Sequence, residues 1–176
     1  MKKNAIIIIL FLLMCSSSCS RERYPFDARG LTFKGLFVYE SQFRIDGVYY
    51  HVREDGGLSV RYFFKDGSFY SAGHGNFDIE SIECPQITAR VRDIPYAWGF
   101  YIVEGDIIRM QTLDPTSRHR NMRRFMVEEW QARIENDTTI RVFKRIFPEG
   151  NSRSHDLVFR FRQCENRPDS MNILLR

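Results

Sequence analysis

The sequence predicts an all-β domain, an antiparallel up-and-down meander that closes into a barrel of about eight to ten strands. Three observations carry this expectation. From Leu36 onward, apolar and polar side chains alternate with period two, the signature of half-buried strands. Turn dipeptides punctuate the alternation at a spacing of about ten residues, which is that of a meander. A single sheet of that many strands tends to close, because closure removes exposed edges.

The elements follow in order. Val48, Tyr50 and Val52 share one face of the first strand, while Tyr49, His51 and Arg53 share the other. Leu58, Val60, Tyr62 and Phe64 form an apolar face opposed by Ser59, Arg61 and Lys65. Asp46-Gly47, Asp55-Gly56-Gly57 and Asp66-Gly67 separate these runs and tolerate the positive φ of tight hairpins. Residues 76–97 break the rhythm. Pro85 and Pro95 bracket a stretch suited to a short helical or irregular insertion, read as a long connection that is either a surface loop or a lid over one barrel end. Strands resume at 98–103 and 107–113, joined by Glu104-Gly105-Asp106. A loop at 114–117 precedes a long strand at 125–134, which turns at Asn136-Asp137 into 138–147. Pro148-Glu149-Gly150-Asn151 is another turn, and 157–164 is the last strand. Tyr62, Phe64, Trp130, Phe159 and Phe161 alternate with polar neighbours and are read as an inward face. About eight strands leave an interior that side chains can fill or that holds a small ligand.

Three stretches share one theme of strand, turn with an acidic residue, and strand. They are Arg61 to Ser68, the run Trp98-Gly99-Phe100-Tyr101-Ile102-Val103-Glu104-Gly105-Asp106-Ile107-Ile108, and Glu129-Trp130 with residues 134–140. Over roughly residues 34–163 they resemble the small lipocalin-like lipoproteins of Gram-negative envelopes. The resemblance implies a lipocalin-like barrel and names no ligand. It departs from classical lipocalins near the first strand, where Gly35-Leu36-Phe37 stands in place of Gly-x-Trp.

The N-terminus reads as an address. Lys2 and Lys3 precede an unbroken apolar run at 5–14, and serines follow. A basic start, about ten apolar residues and a small-residue patch are the parts of a secretory signal. The run is shorter than the ~20 residues that span a bilayer, and it stops at serines without a basic flank, which disfavours a short transmembrane anchor. Ser16-Ser17-Ser18-Cys19 resembles the relaxed lipobox of bacterial lipoproteins, in which the cysteine is lipidated and becomes residue one. Ser16 departs from the Leu of the stricter pattern; Cys15 has Leu12 in that place but bulky Met14 directly before it. Lipidation is therefore expected on Cys19, with Cys15 as the alternative. Ser20 follows in place of the Asp that resembles an inner-membrane retention signal, so the expected location is the bacterial envelope, lipid-anchored at the outer membrane. More than one acyl chain makes such an anchor stable. The organisation is then a signal at 1–18, a tether at 19–33, a barrel domain at 34–164 and a tail at 165–176.

Loss of Lys2 and Lys3 takes two charges from the formal +4 of the chain, leaving no electrostatic case for nucleic-acid binding. Cys84 and Cys164 survive in a compartment that permits disulfides, as one pair or as two buried thiols. A bond between them would close a loop of about 80 residues, worth roughly 4–5 kcal/mol in chain-entropy models.

The usual marks of catalysis are missing, and no enzyme activity or cofactor is expected. No Gly-x-Ser-x-Gly elbow occurs. His51, His74, His119 and His155 are scattered without metal-ligand spacing. His74, between Gly73 and Gly75, is the one imidazole around which an unrecognised active site could form. Arg118, His119, Arg120, Arg123 and Arg124 crowd one loop. They bind an anionic ligand or lipid headgroups, or they form a solvated rim offset by Glu128 and Glu129. The candidate ligand or anion-binding residues are thus Arg120, Arg123, Arg124, Tyr62 and Trp130. The expected role is binding of a small apolar or amphipathic ligand or a protein partner. The alternative is a non-catalytic structural or assembly subunit of an envelope complex.

Overall fold

The computed structural model describes residues 30–34, 43–76, 94–114 and 126–165. Eight strands run in chain order: β1 Gly47–Val52, β2 Gly57–Phe63, β3 Ser68–Asn76, β4 Trp98–Glu104, β5 Ile107–Asp114, β6 Met126–Asn136, β7 Thr139–Ile146 and β8 Ser152–Gln163. A 3₁₀ turn, Pro95–Ala97, leads into β4. Each strand pairs antiparallel with the next, and β8 returns to β1, so the sheet is a closed eight-stranded barrel. The expected meander and its closure are both present. Of the expected insertion, the 3₁₀ turn is its described end, and residues 77–93 lie outside the described residues.

One backbone hydrogen-bond pattern closes three of the hairpins. In Phe64-Lys65-Asp66-Gly67-Ser68, Phe64 N–H donates to Ser68 O, and Gly67 N–H donates back to Phe64 O. Asp66 Oδ1 accepts from Ser68 N–H at 2.9 Å, pinning the exit. Gly67 takes φ +77°, the left-handed position of a type I turn followed by a one-residue bulge. The same backbone pattern recurs at Arg53 to Gly57 and at Phe147 to Asn151.

Strand register divides the sheet into two apolar faces. Across neighbouring strands, Tyr49 pairs with Arg61, Phe63 with Phe69, Tyr101 with Met110, Met110 with Trp130, and Ile140 with Phe159. This set is the barrel interior. Phe43 and Ile45 join it just before β1, where Phe43 meets Phe63 edge-on at 5.2 Å and Tyr101 at 6.1 Å. Tyr49, Phe63, Phe69 and Tyr101 are fully buried, so aromatic rings pack the end of the barrel that carries the short β2–β3, β4–β5 and β6–β7 turns. Tyr101 Oη donates to Phe64 O at 2.9 Å, and Tyr49 Oη donates to Asp137 O at 3.1 Å.

The opposite face is also buried along β1 to β5. Val48, Val60, Tyr62, Phe64, Tyr70, Trp98, Phe100 and Leu113 form one cluster outside the barrel, together with Leu31 and Phe33. Gln111 holds this N-terminal stretch on the wall. Its Oε1 accepts from Thr32 N–H at 2.9 Å, Thr32 Oγ1 at 3.2 Å and Phe33 N–H at 3.2 Å. A full apolar side chain removed from water contributes roughly 1.5–3 kcal/mol, so both clusters are major contributors to stability.

Here the structure corrects one expectation. Tyr62 and Phe64 were expected to face inward with Trp130, Phe159 and Phe161; they face outward, while Arg61 and Phe63 point in. The reason is that β2 is buried on both sides, so its apolar face does not mark the barrel interior.

Candidate functional site

The interior changes character towards the end that carries the β1–β2 and β7–β8 turns. Polar groups appear there among the apolar ones, and they gather round the Trp130 indole.

Arg61 projects from the middle of β2, between Val60 and Tyr62, and is only 6% exposed. Its guanidinium carbon lies 4.6 Å from the centre of the Phe159 ring and 5.4 Å from that of Trp130. Nη1 donates to the Met110 thioether at 3.3 Å, a weak acceptor. Nε is buried with no hydrogen-bond partner. Burial pulls the guanidinium down to about 10, and the charge of Glu128 opposes the shift without cancelling it. A cation on a strand expected to be half-exposed thus stands inside the barrel without a carboxylate bonded to it.

Glu128, on β6, is 4% exposed and already engaged. It accepts from Trp130 Nε1 at 2.8 Å, from Arg145 Nε at 2.9 Å and from a second Arg145 nitrogen. Arg145 stacks between Trp130, at 4.8 Å, and Phe147, at 4.5 Å. A bulge brings Arg145 into this position. The register of β7 against both β6 and β8 shifts between Val142 and Lys144. Val142 and Arg145 therefore both face inward although three positions apart, a known use of bulges to re-aim a side chain.

His155, on β8, completes the group. Its ring centre is 5.3 Å from that of Trp130, and its Nε2 is buried without a partner. Burial holds the imidazole below its ordinary pKa, helped by the positive charges of Arg153, Arg145 and Arg61, so it is neutral at pH 7. The His51 ring centre lies 5.4 Å from that of Phe159, and its Nδ1–H donates to Val158 O at 3.0 Å.

The result is one indole flanked by an ion pair and by two orphaned polar nitrogens. Orphaned buried polar atoms are uncommon in folded proteins and call for a specific explanation. A desolvated cation with free donor positions can hold an anion. Among the described residues, no group of three His, Cys, Asp or Glu could hold a metal ion.

The residues singled out from sequence are divided by the fold. Trp130 lies on the inner face, half-buried against the interior cluster, and Tyr62 lies on the outer face. Arg120, Arg123, Arg124, Cys19 and Cys84 lie outside the described residues, as do the side chain of His74 and the rest of the arginine-rich loop. Glu128 and Glu129, expected to offset that loop, are engaged elsewhere. Glu128 pairs with Arg145 inside the barrel, and Glu129 pairs with Arg109 on the outer wall at 2.8 Å. Cys164 is disulfide-bonded, and the chain's other cysteines all lie outside the described residues. Sequence reasoning missed Arg61, Glu128, Arg145 and His155 as a site. One signal was available: Phe63 has the same parity as Arg61, so a solvated Arg61 face would have exposed a phenylalanine.

No family model matches the chain, and neither the curated proteins nor the solved structures yield a match.

Proposed function

We propose that this chain is a lipid-anchored envelope protein whose lipocalin-like barrel holds a small amphipathic molecule, its polar head at Arg61. One observation carries the binding half of the reading. Arg61 is buried inside the barrel with Nε free, and a buried cation without a carboxylate costs stability unless something neutralises it. The surrounding Met110, Trp130, Phe159 and Leu157 offer an apolar wall beside that charge. Binding sites of this kind are mostly apolar with a few placed polar groups.

The anchoring half rests on residues 1–20 alone: a basic start, an apolar run and Ser16-Ser17-Ser18-Cys19. Labelling cells with a palmitate analogue tests it. Wild type and Cys15→Ala take the label, and Cys19→Ala loses it. Label that survives in Cys19→Ala removes Cys19 as the anchor. The ligand half is tested by native mass spectrometry of protein extracted under mild conditions. A bound small molecule, lost in Arg61→Gln, supports the reading; a bare polypeptide mass from every preparation removes it.

Docking on an envelope complex is the weaker reading. Among the described residues, the exposed large apolar side chains are Val52 and Tyr96. Two side chains do not make the patch of several hundred Å² that such docking uses.

A further inference from the structure

We infer that the barrel stands on the membrane by the end that carries the β1–β2 and β7–β8 turns, with Val52 and Tyr96 against the phospholipid surface; this rests on the anchoring reading above. The path of the N-terminal stretch points to that end. Gly30 lies against β6, with Val127 Cγ2 2.8 Å from where a Cβ on the glycine would stand. Val127 is the second residue of β6 and pairs with Leu113 near the end of β5. Thr32 and Phe33 then donate to Gln111, two residues back along β5 from Leu113. The Phe33 ring lies 5.1 Å from the Arg109 guanidinium carbon, two residues further in the same direction. Arg44 N–H finally reaches Asp137 O, in the β6–β7 turn, at 3.1 Å. The chain thus meets the wall where β6 begins and reaches the opposite end before entering β1. Successive strands are antiparallel, so the end where β6 begins is also the end of the β1–β2 and β7–β8 turns.

The length of the tether limits how the barrel can stand. The eleven residues from Ser20 to Gly30 follow Cys19. Fully extended, they span about 40 Å at most. β6 has eleven residues, which at a typical barrel tilt rise about 28 Å along the axis. If the opposite end faced the bilayer, the tether would have to double back over most of that height and would be drawn nearly straight. With the near end against the bilayer it keeps its conformational freedom, which favours that orientation.

The exposed apolar side chains fall on the same end. Val52 and Tyr96 are the large apolar residues that face water among the described residues, at 46% and 41% exposure. Val52 closes β1 just before the β1–β2 turn, and Tyr96 sits in the 3₁₀ turn that leads into β4. The turns of the opposite end present Lys65, Asp66, Glu104, Asp106 and Asp137 instead. A tyrosine suits the boundary between headgroups and water, because its ring is apolar and its hydroxyl stays wet. Two such contacts are too few to recruit a free protein. An anchored one already meets the surface at high effective concentration, so weak contacts suffice to set its orientation.

The test uses the full-length lipidated protein, reconstituted into phosphatidylcholine vesicles. A photoreactive benzoylphenylalanine replaces one residue at a time: Tyr96 or Glu54 on the near end, Lys65 or Asp137 on the opposite end. All four positions are exposed, and each end is read twice, so one poorly folded variant does not shield the inference. After illumination, phospholipid adducts are counted by mass spectrometry. Tyr96 and Glu54 are expected to give about threefold or more adduct than Lys65 and Asp137, the enrichment of a surface held close by its anchor. Equal adducts at both ends, or more at Lys65 and Asp137, overturn the orientation and leave the anchor standing. If palmitate label is absent from Cys19, the anchoring reading falls and the orientation falls with it.

Discussion

The Arg61 guanidinium carbon lies 4.6 Å from the centre of the Phe159 ring, two strands away across the interior of the barrel. A charge is thus held against an aromatic face where water is scarce. Cation–π attraction returns part of the desolvation cost, about 0.5–2 kcal/mol, and the orphaned Nε shows that the remainder is not recovered through hydrogen bonds.

Arg61→Met is therefore expected to stabilise the ligand-free protein. Replacing a buried, poorly paired charge by an apolar side chain of similar length is often neutral or favourable. The gain is about 1 kcal/mol or more, a rise of a few degrees in Tm for a domain of this size. A thermal melt of the delipidated protein checks it. A drop in Tm would show that Arg61 is a structural support.

His155→Phe is expected to flatten the pH dependence of stability on the mildly acid side. The folded protein holds His155 below its ordinary pKa of 6.5. Above that value both folded and unfolded chains keep the ring neutral. As pH falls below it, the unfolded chain takes up a proton that the folded chain resists, and stability declines until the folded pKa is reached. Urea denaturation at about pH 7.5 and pH 5.5 should show a larger loss in wild type than in His155→Phe. Asp55 does not confuse the comparison, because the Arg53 guanidinium and the Gly57 amide hold its carboxyl down at about 2, so its contribution is lost only below the usual carboxylate range.

Gly99→Ala is expected to cost about 3 kcal/mol. A Cβ at Gly99 would stand 2.2 Å from Gln111 O and 2.4 Å from the Phe69 ring, which lies over the glycine from the neighbouring strand. The backbone contact cannot move aside without breaking the β4–β5 ladder. Gly56→Ala is the control: its Cβ would meet nothing within 4 Å, so only the positive φ opposes it, at about 1 kcal/mol. Chemical denaturation of both variants measures the difference.

Tyr101→Phe is expected to cost about 1–2 kcal/mol. It removes the buried hydrogen bond to Phe64 O and leaves that carbonyl without its hydroxyl donor. Equilibrium unfolding reads the cost.

The strands and turns were legible because they are local. Leu58 to Phe64 alternates, Asp66-Gly67 turns, and the structure places β2 and its hairpin there. Which face of β2 looks inward was not legible. Alternation reports burial against exposure, and both faces of β2 are buried, so Arg61 was grouped with Ser59 and Lys65 as the polar side. Register carried the missing information, since Tyr49 opposite Arg61 and Phe63 opposite Phe69 fix the interior set. Arg145 was hidden for another reason. The β7 bulge resets parity between Val142 and Lys144, and no residue there announces it. Of this group Trp130 alone was named in advance as a binding candidate, and its partners Glu128, Arg145 and His155 come from positions that only the closed barrel brings together.

The pairing of β1 with β8 has a consequence for how the chain reaches this state. Gly47 sits opposite Gln163, so the first strand waits for the last to be delivered before the cylinder can seal. Until then β2, β3 and β4 carry Tyr62, Tyr70 and Trp98 on one side and Phe63, Phe69 and Tyr101, with Arg61, on the other, so broad aromatic faces are open to other chains. Long-range closure is slow, because loop entropy is lost before the contacts that reward it form. The newly made polypeptide therefore passes through a sticky, open-walled stage, and the yield of refolding should fall steeply with protein concentration.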